Sequence, residues 1–132
     1  VESGMGLVSE QNVTVTGLII RDNLMHWQII GGDGLAGTEA LNKFASNTWA
    51  VDHNVIVMDD TSYWPGKYPL RNYFPGSYDS VGFTDRAGVD YRLKVGSHYK
   101  NKASDGTDIG VDFNSLSSAL SPDDFKLAFK QR

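Results

Sequence analysis

The chain of 132 residues contains no cysteine. That excludes disulfide stapling, thiolate metal sites and a cysteine nucleophile together, and leaves the redox compartment open. Long apolar runs are also missing: no stretch approaches the ~20 residues needed to cross a bilayer, so no membrane partner is expected. Basic charge is scarce and dispersed. Twelve Lys and Arg against sixteen Asp and Glu give a net charge of −4, and Arg21, Lys43, Lys67, Arg71, Arg86, Lys94, Lys100 and Lys102 form no stripe. Nucleic-acid binding rests on phosphate contacts from clustered cations, so that class is excluded too. No targeting segment is visible. The opening Val1-Glu2-Ser3-Gly4 lacks an initiator Met and an apolar signal core, and reads as an internal start that says nothing about export.

What is present is an ordinary globular composition, 40% hydrophobic and 21% charged, which is far from disorder. Residues 12–20 alternate and then run apolar with several β-branched side chains, as a strand does. A second short apolar stretch covers 26–30 and is broken by Gly31-Gly32-Asp33-Gly34. Thr38 to Phe44 favour a short helix with Thr38 as its cap. The strand texture returns at 49–57, where Val55-Ile56-Val57 can be laid on Leu18-Ile19-Ile20. Recurring short apolar strands between turns suit a parallel solenoid, each coil burying its inner face on its neighbours, although a sandwich also repeats strands.

Between 63 and 75 the texture changes, because three prolines forbid regular structure and five aromatics crowd one loop. Strand-like pieces resume at Val81-Gly82-Phe83 and Tyr91-Arg92-Leu93. Ser104 to Asp112 reads as turns around one buried Ile-Gly-Val, with Gly106 and Gly110 at positions a Cβ would crowd. A terminal helix is expected over 121–132, capped by Ser121, with Pro122 first, acids Asp123 and Asp124 next, and a Phe125–Phe129 stripe. That stripe suits docking on the last coil better than a membrane surface.

The order of these motifs resembles the C-terminal end of bacterial right-handed parallel β-helix repeat proteins, the pectate-lyase-like superfamily. The segments that carry the resemblance are Asn72-Tyr73-Phe74-Pro75, Val81-Gly82-Phe83, Tyr91-Arg92-Leu93, Ser97-His98-Tyr99-Lys100 and Asp105-Gly106-Thr107-Asp108-Ile109-Gly110-Val111-Asp112. The chain departs from the family pattern at His98, where proline is usual, and at Val111, where alanine is usual. The resemblance implies an all-β fold, a right-handed parallel β-helix represented by its C-terminal coils, with a loop-rich closure and a short terminal helix. The organisation is then coils over 12–60, an aromatic and proline-rich loop with closure over 61–116, and the helix over 121–132. It further implies an extracellular or cell-surface protein that binds or processes polysaccharide, its parent a lyase or glycoside hydrolase, this segment mainly capping the solenoid. The alternative is a non-catalytic assembly module that pairs through its open coil end with upstream coils or a second copy of itself.

Candidate chemistry is sparse, and each candidate has a structural rival. Asp59 and Asp60 follow a strand and offer the acid pair a glycosidase needs, yet adjacent strand residues point to opposite faces; a solvated turn fits better. Asp105, Asp108 and Asp112 offer oxygen ligands for calcium, but without EF-hand spacing they fit Asx-turns. Tyr63, Trp64 and Tyr68 offer faces for sugar rings, extended by Trp27 and Trp49, or else cover the core. His26, His53 and His98 lack zinc-site spacing, no serine sits in a nucleophile elbow, and the glycine-rich 31–37 lacks a Lys-Ser/Thr ending. No cofactor is expected.

Overall fold

A computed structural model describes residues 7–8, 14–26, 29–32, 34–62 and 64–121. The chain is β-rich, with short strands and few helices. In order they are β1 (Leu7–Val8), β2 (Leu18–Arg21), β3 (Leu24–His26), β4 (Ile30–Gly32), β5 (Leu35–Ala36), α1 (Gly37–Phe44), β6 (Trp49–Asp52) and β7 (Val55–Val57). A 3-10 turn (Trp64–Lys67), α2 (Tyr78–Val81), β8 (Phe83–Asp85), β9 (Asp90–Leu93) and α3 (Phe113–Ala119) complete the order. Three pairings are parallel: β1 with β4, β2 with β6, and β3 with β7. The hairpin β8–β9 is antiparallel.

The stacking step is 31 residues, Leu18 lying opposite Trp49 and Leu24 opposite Val55. This corrects the expected echo of Leu18-Ile19-Ile20 on Val55-Ile56-Val57. Residues 49–57 do not form one strand, because His53 adopts φ 55° and Asn54 turns its side chain inward, splitting β6 from β7. The same corner precedes β3, with Asp22 at φ 62° before Asn23. It recurs at Arg71, φ 70°, before Asn72. Residues 71–75 run parallel to β7: Ile56 N–H donates to Tyr73, Met58 N–H to Pro75, and Tyr73 N–H to Asn54.

The three asparagines stack. Asn54 Oδ1 accepts from Asn23 N (3.0 Å) and Asn23 Nδ2 (3.2 Å), while Asn54 Nδ2 donates to the Ile20 carbonyl (2.9 Å) and Asn72 Oδ1 (3.0 Å). Asn72 Nδ2 reaches the carbonyls of Val51 and Pro69. Asn54 is 0% exposed and is the one buried polar side chain among the described residues. Its burial is tolerable because every polar atom has a partner.

Two apolar clusters flank the β3–β7 pair. Ile20, Met25, Val51 and Ile56 point into one, closed by Ala40, Leu41 and Phe44 of α1. Val55 and Val57 point the other way, against Val81, Phe83, Leu93, Ala103 and Ile109. Burial on both faces explains why Val55-Ile56-Val57 is continuously apolar, while β2 alternates. Several expectations are corrected here. The strand expected over 12–20 begins only at Leu18, because 14–17 bend before it and leave Val15 46% exposed; residues 12 and 13 lie outside the described residues. Thr38 does not cap α1, whose N-cap is Ala36 with no side-chain bond. Val81 ends α2 and Gly82 is its left-handed cap, so the strand starts only at Phe83. Ile109 is buried but Val111 is exposed. Gly106 and Gly110 do have positive φ, 83° and 104°, yet no Cβ clash awaits at either. The expected helix over 121–132 lies beyond the last described residue, Ser121.

Two outcomes follow. Asn54→Ala strands the Asn23 N–H and the Ile20 carbonyl in the interior, and should cost about 3 kcal/mol in urea melts. Gly37 has φ 58° and its missing Cβ would lie 2.1 Å from the Lys67 carbonyl oxygen. Gly37→Ala should therefore lower Tm well beyond Gly17→Ala, where φ is 68° with open space, and where about 1 kcal/mol of left-handed strain is the whole effect. Equal losses for the two glycines would refute the close approach.

Candidate functional site

The acids expected to do chemistry are distributed among structural tasks. Asp59 and Asp60 are exposed, and Asp60 Oδ1 accepts from Ser62 N (2.9 Å) and Ser62 Oγ (2.7 Å) in a local turn. Asp105 Oδ1 holds Thr107 in the same way, and these bonds keep its carboxyl below the usual range. Asp108 takes Lys100 Nζ (2.6 Å) and Asn101 N–H (3.0 Å). Asp112 caps α3 by accepting from Asn114 and Ser115 N–H, and its carboxyl is held low chiefly by the Ser115 hydroxyl. Among the described residues no three His, Cys, Asp or Glu side chains are grouped to hold a metal ion.

The aromatic candidates separate as well. Tyr68 is 5% exposed, with its hydroxyl accepting from Ile29 N–H (2.9 Å) and its pKa pushed up by burial. It is a core residue, not a platform for sugar, because Trp64 and Phe74 pack over it. Trp64 is half-buried against the same cluster, and Tyr63 lies outside the described residues, as does Trp27.

A different constellation emerges between β3 and the C-terminal closure. The closure is tied to the first corner: Ser104 N–H and Oγ both donate to the Asp22 carboxylate (2.6 Å each), and Gly110 N–H donates to the Asp22 carbonyl. This leaves an open groove of about 1700 Å³. On its wall Tyr78 lies between the Arg86 guanidinium, 4.2 Å from the ring centroid, and the His26 ring at 5.4 Å. Tyr91, 39% exposed, stands edge-on to Phe83 at 5.5 Å. Arg92 is held by Asp90 through two bonds of 2.8 and 2.5 Å. Rings beside fixed charged donors and acceptors suit a polyhydroxylated ligand. No family model, curated protein or solved structure matches the chain. The groove thus has to be read from its own chemistry.

Sequence reasoning missed this group, because its members come from 22–26, 78–93 and 100–116 and converge through the Asp22 tie and the packing of the closure on Val55 and Val57. The motif that hinted at it was Tyr91-Arg92-Leu93, in which Leu93 is buried while Tyr91 remains exposed.

A second charged cluster lies on the outer face of β2 and β6. Arg21 Nε and Nη2 clasp Asp52 (2.6 and 3.0 Å), and His53 Nδ1 meets Asp52 Oδ1 at 2.8 Å. The Arg21 hydrogen bond holds the Asp52 carboxyl down to about 2, against burial that pulls it upward, with His53 adding to the lowering. A carboxylate that titrates lower folded than unfolded stabilises above pH ~4 and loses that contribution as pH falls toward 2. The solvent-screened contribution is about 1 kcal/mol. Wild type should exceed Asp52→Asn in stability at pH 6, and the difference should close by pH 2. A difference independent of pH would show that the pair contributes by packing alone.

Proposed function

We propose that this chain is the closing end of a right-handed parallel β-helix in a secreted, polysaccharide-binding or polysaccharide-processing protein. Its own role is to seal the stack and to present one sugar-contacting groove. The observation that carries the stacked reading is the Asn23–Asn54–Asn72 row, repeated at three left-handed corners with parallel strands on either side. Right-handedness follows from the general preference of parallel crossovers. The closure supports the capping role. It covers the outer apolar face of β3 and β7, which would otherwise expose Val55 and Val57.

Secretion and the polysaccharide class rest on the family resemblance of residues 72–112. The groove supports them chemically through Tyr91, Tyr78 and the neighbouring guanidinium groups. Among the described residues Asp59 and Asp60 share no target, and Asp60 holds Ser62 in a local turn.

Acidic and neutral oligosaccharides titrated against intrinsic fluorescence test the ligand. Binding should weaken about tenfold in Tyr91→Ala, in line with one aromatic face, while Tm stays unchanged. Failure of the wild-type chain to respond to any sugar in a broad panel would overturn the polysaccharide reading.

A further inference from the structure

The groove between β3 and the closure carries more carboxylates than cations. Asp22, Asp79, Asp108 and Asp112 line it against Arg86, Arg92 and Lys100. Two of those cations are already matched. Arg92 lays its guanidinium on Asp90, Nε to Oδ1 at 2.8 Å and Nη2 to Oδ2 at 2.5 Å, and Lys100 Nζ donates to Asp108 at 2.6 Å. The third, Arg86, lies over Tyr78 with its guanidinium carbon 4.2 Å from the ring centroid. His26 is the remaining base on the wall, and its ring lies against the same Tyr78 at 5.4 Å.

This pairing selects against an anionic ligand. A carboxylate that claims Arg92 or Lys100 must displace Asp90 or Asp108. It then exchanges one charge-assisted bond for another and leaves the displaced acid beside it. It also brings a further negative charge to a wall where acids already outnumber cations, a repulsion that salt weakens. The groups left to meet a ligand are uncharged. Tyr91 is 39% exposed, its ring set edge-on to Phe83. Asn101, Thr107 and Asn114 are exposed along the closure, and an amide or hydroxyl both donates and accepts, as a sugar hydroxyl does.

We infer that the groove takes a neutral glycan and discriminates against its uronate counterpart, with the carboxylate partners of Arg92 and Lys100 setting that preference. This rests on the polysaccharide reading above and names the class of sugar within it.

Isothermal titration calorimetry of the full chain tests the preference with matched oligosaccharides of glucose, mannose and galactose, each beside the uronate oligomer of the same linkage. A neutral member should bind about tenfold more tightly than its uronate counterpart at low salt. Raising NaCl from about 50 to about 500 mM should leave the neutral Kd unchanged and narrow the gap. Asp90→Asn, which releases Arg92, should cut the neutral-over-uronate preference about tenfold. Asp108→Asn, which releases Lys100, reads the same effect from the closure should the hairpin of the first variant fail to fold. Uronates that bind as tightly as their neutral partners, and lose affinity as salt rises, would overturn the inference and leave the polysaccharide reading standing. So would a preference that neither variant moves. If no oligosaccharide of either class binds, the polysaccharide reading falls and takes the inference with it.

Discussion

The rest of the molecule depends on a buried amide that has nowhere to go but its neighbours. Asn54 sits at 0% exposure between two other asparagines, and its side chain joins backbone groups of residues 20–23 to the side chain of Asn72. Each corner forces a non-glycine residue, Asp22, His53 or Arg71, into the left-handed region at a cost of about 1 kcal/mol. The paired amides offset that strain, and they also fix register. A slip of one residue would drive an asparagine into the cluster of Ile20, Val51 and Ile56 without a partner, a larger penalty than any apolar mismatch.

Register in turn decides what each strand faces. With the corner at His53-Asn54, Ile56 points to the same cluster as Val51, and Val55 and Val57 must be covered from outside. The closure does this with Val81, Phe83, Leu93 and Ile109, and fastens itself at Asp22, the first left-handed corner. The groove is a consequence of that fastening. It lies where the hairpin and α3 stand away from β3, and its exposed Tyr91 shares a strand with Leu93, which seals the core.

Much of the β texture was legible in the sequence, and so was helix α1, because both rest on local pattern. The apolar run at 55–57 and the Glu39–Phe44 segment are strong signals of that kind. The stacking register was not, since Trp49 to Val57 looks like one strand until a left-handed histidine and an inward asparagine divide it. An Asn following a polar residue reads as a solvated turn, and only its recurrence at 23, 54 and 72 with apolar flanks marks a buried row. The aspartates at 60, 105 and 112 each accept from the backbone N–H two residues on, because Asx chemistry is local. Tyr68 was legible as an aromatic that either faces a sugar or covers the core, and it is buried. Its burial depends on Ile29, thirty-nine residues away, whose backbone N–H donates to its hydroxyl. The groove could not be seen at all, being made by tertiary contact.

The most direct test of this account is an NMR measurement of which strands are neighbours and how the Asn54 amide exchanges. Parallel stacking at a 31-residue step predicts backbone contacts linking Leu18 with Trp49 and Leu24 with Val55. It also predicts Asn54 side-chain protons protected as strongly as the core amides, because they exchange only when the paired strands part. Contacts in an antiparallel pattern, or an Asn54 side chain exchanging like free amide, would contradict it.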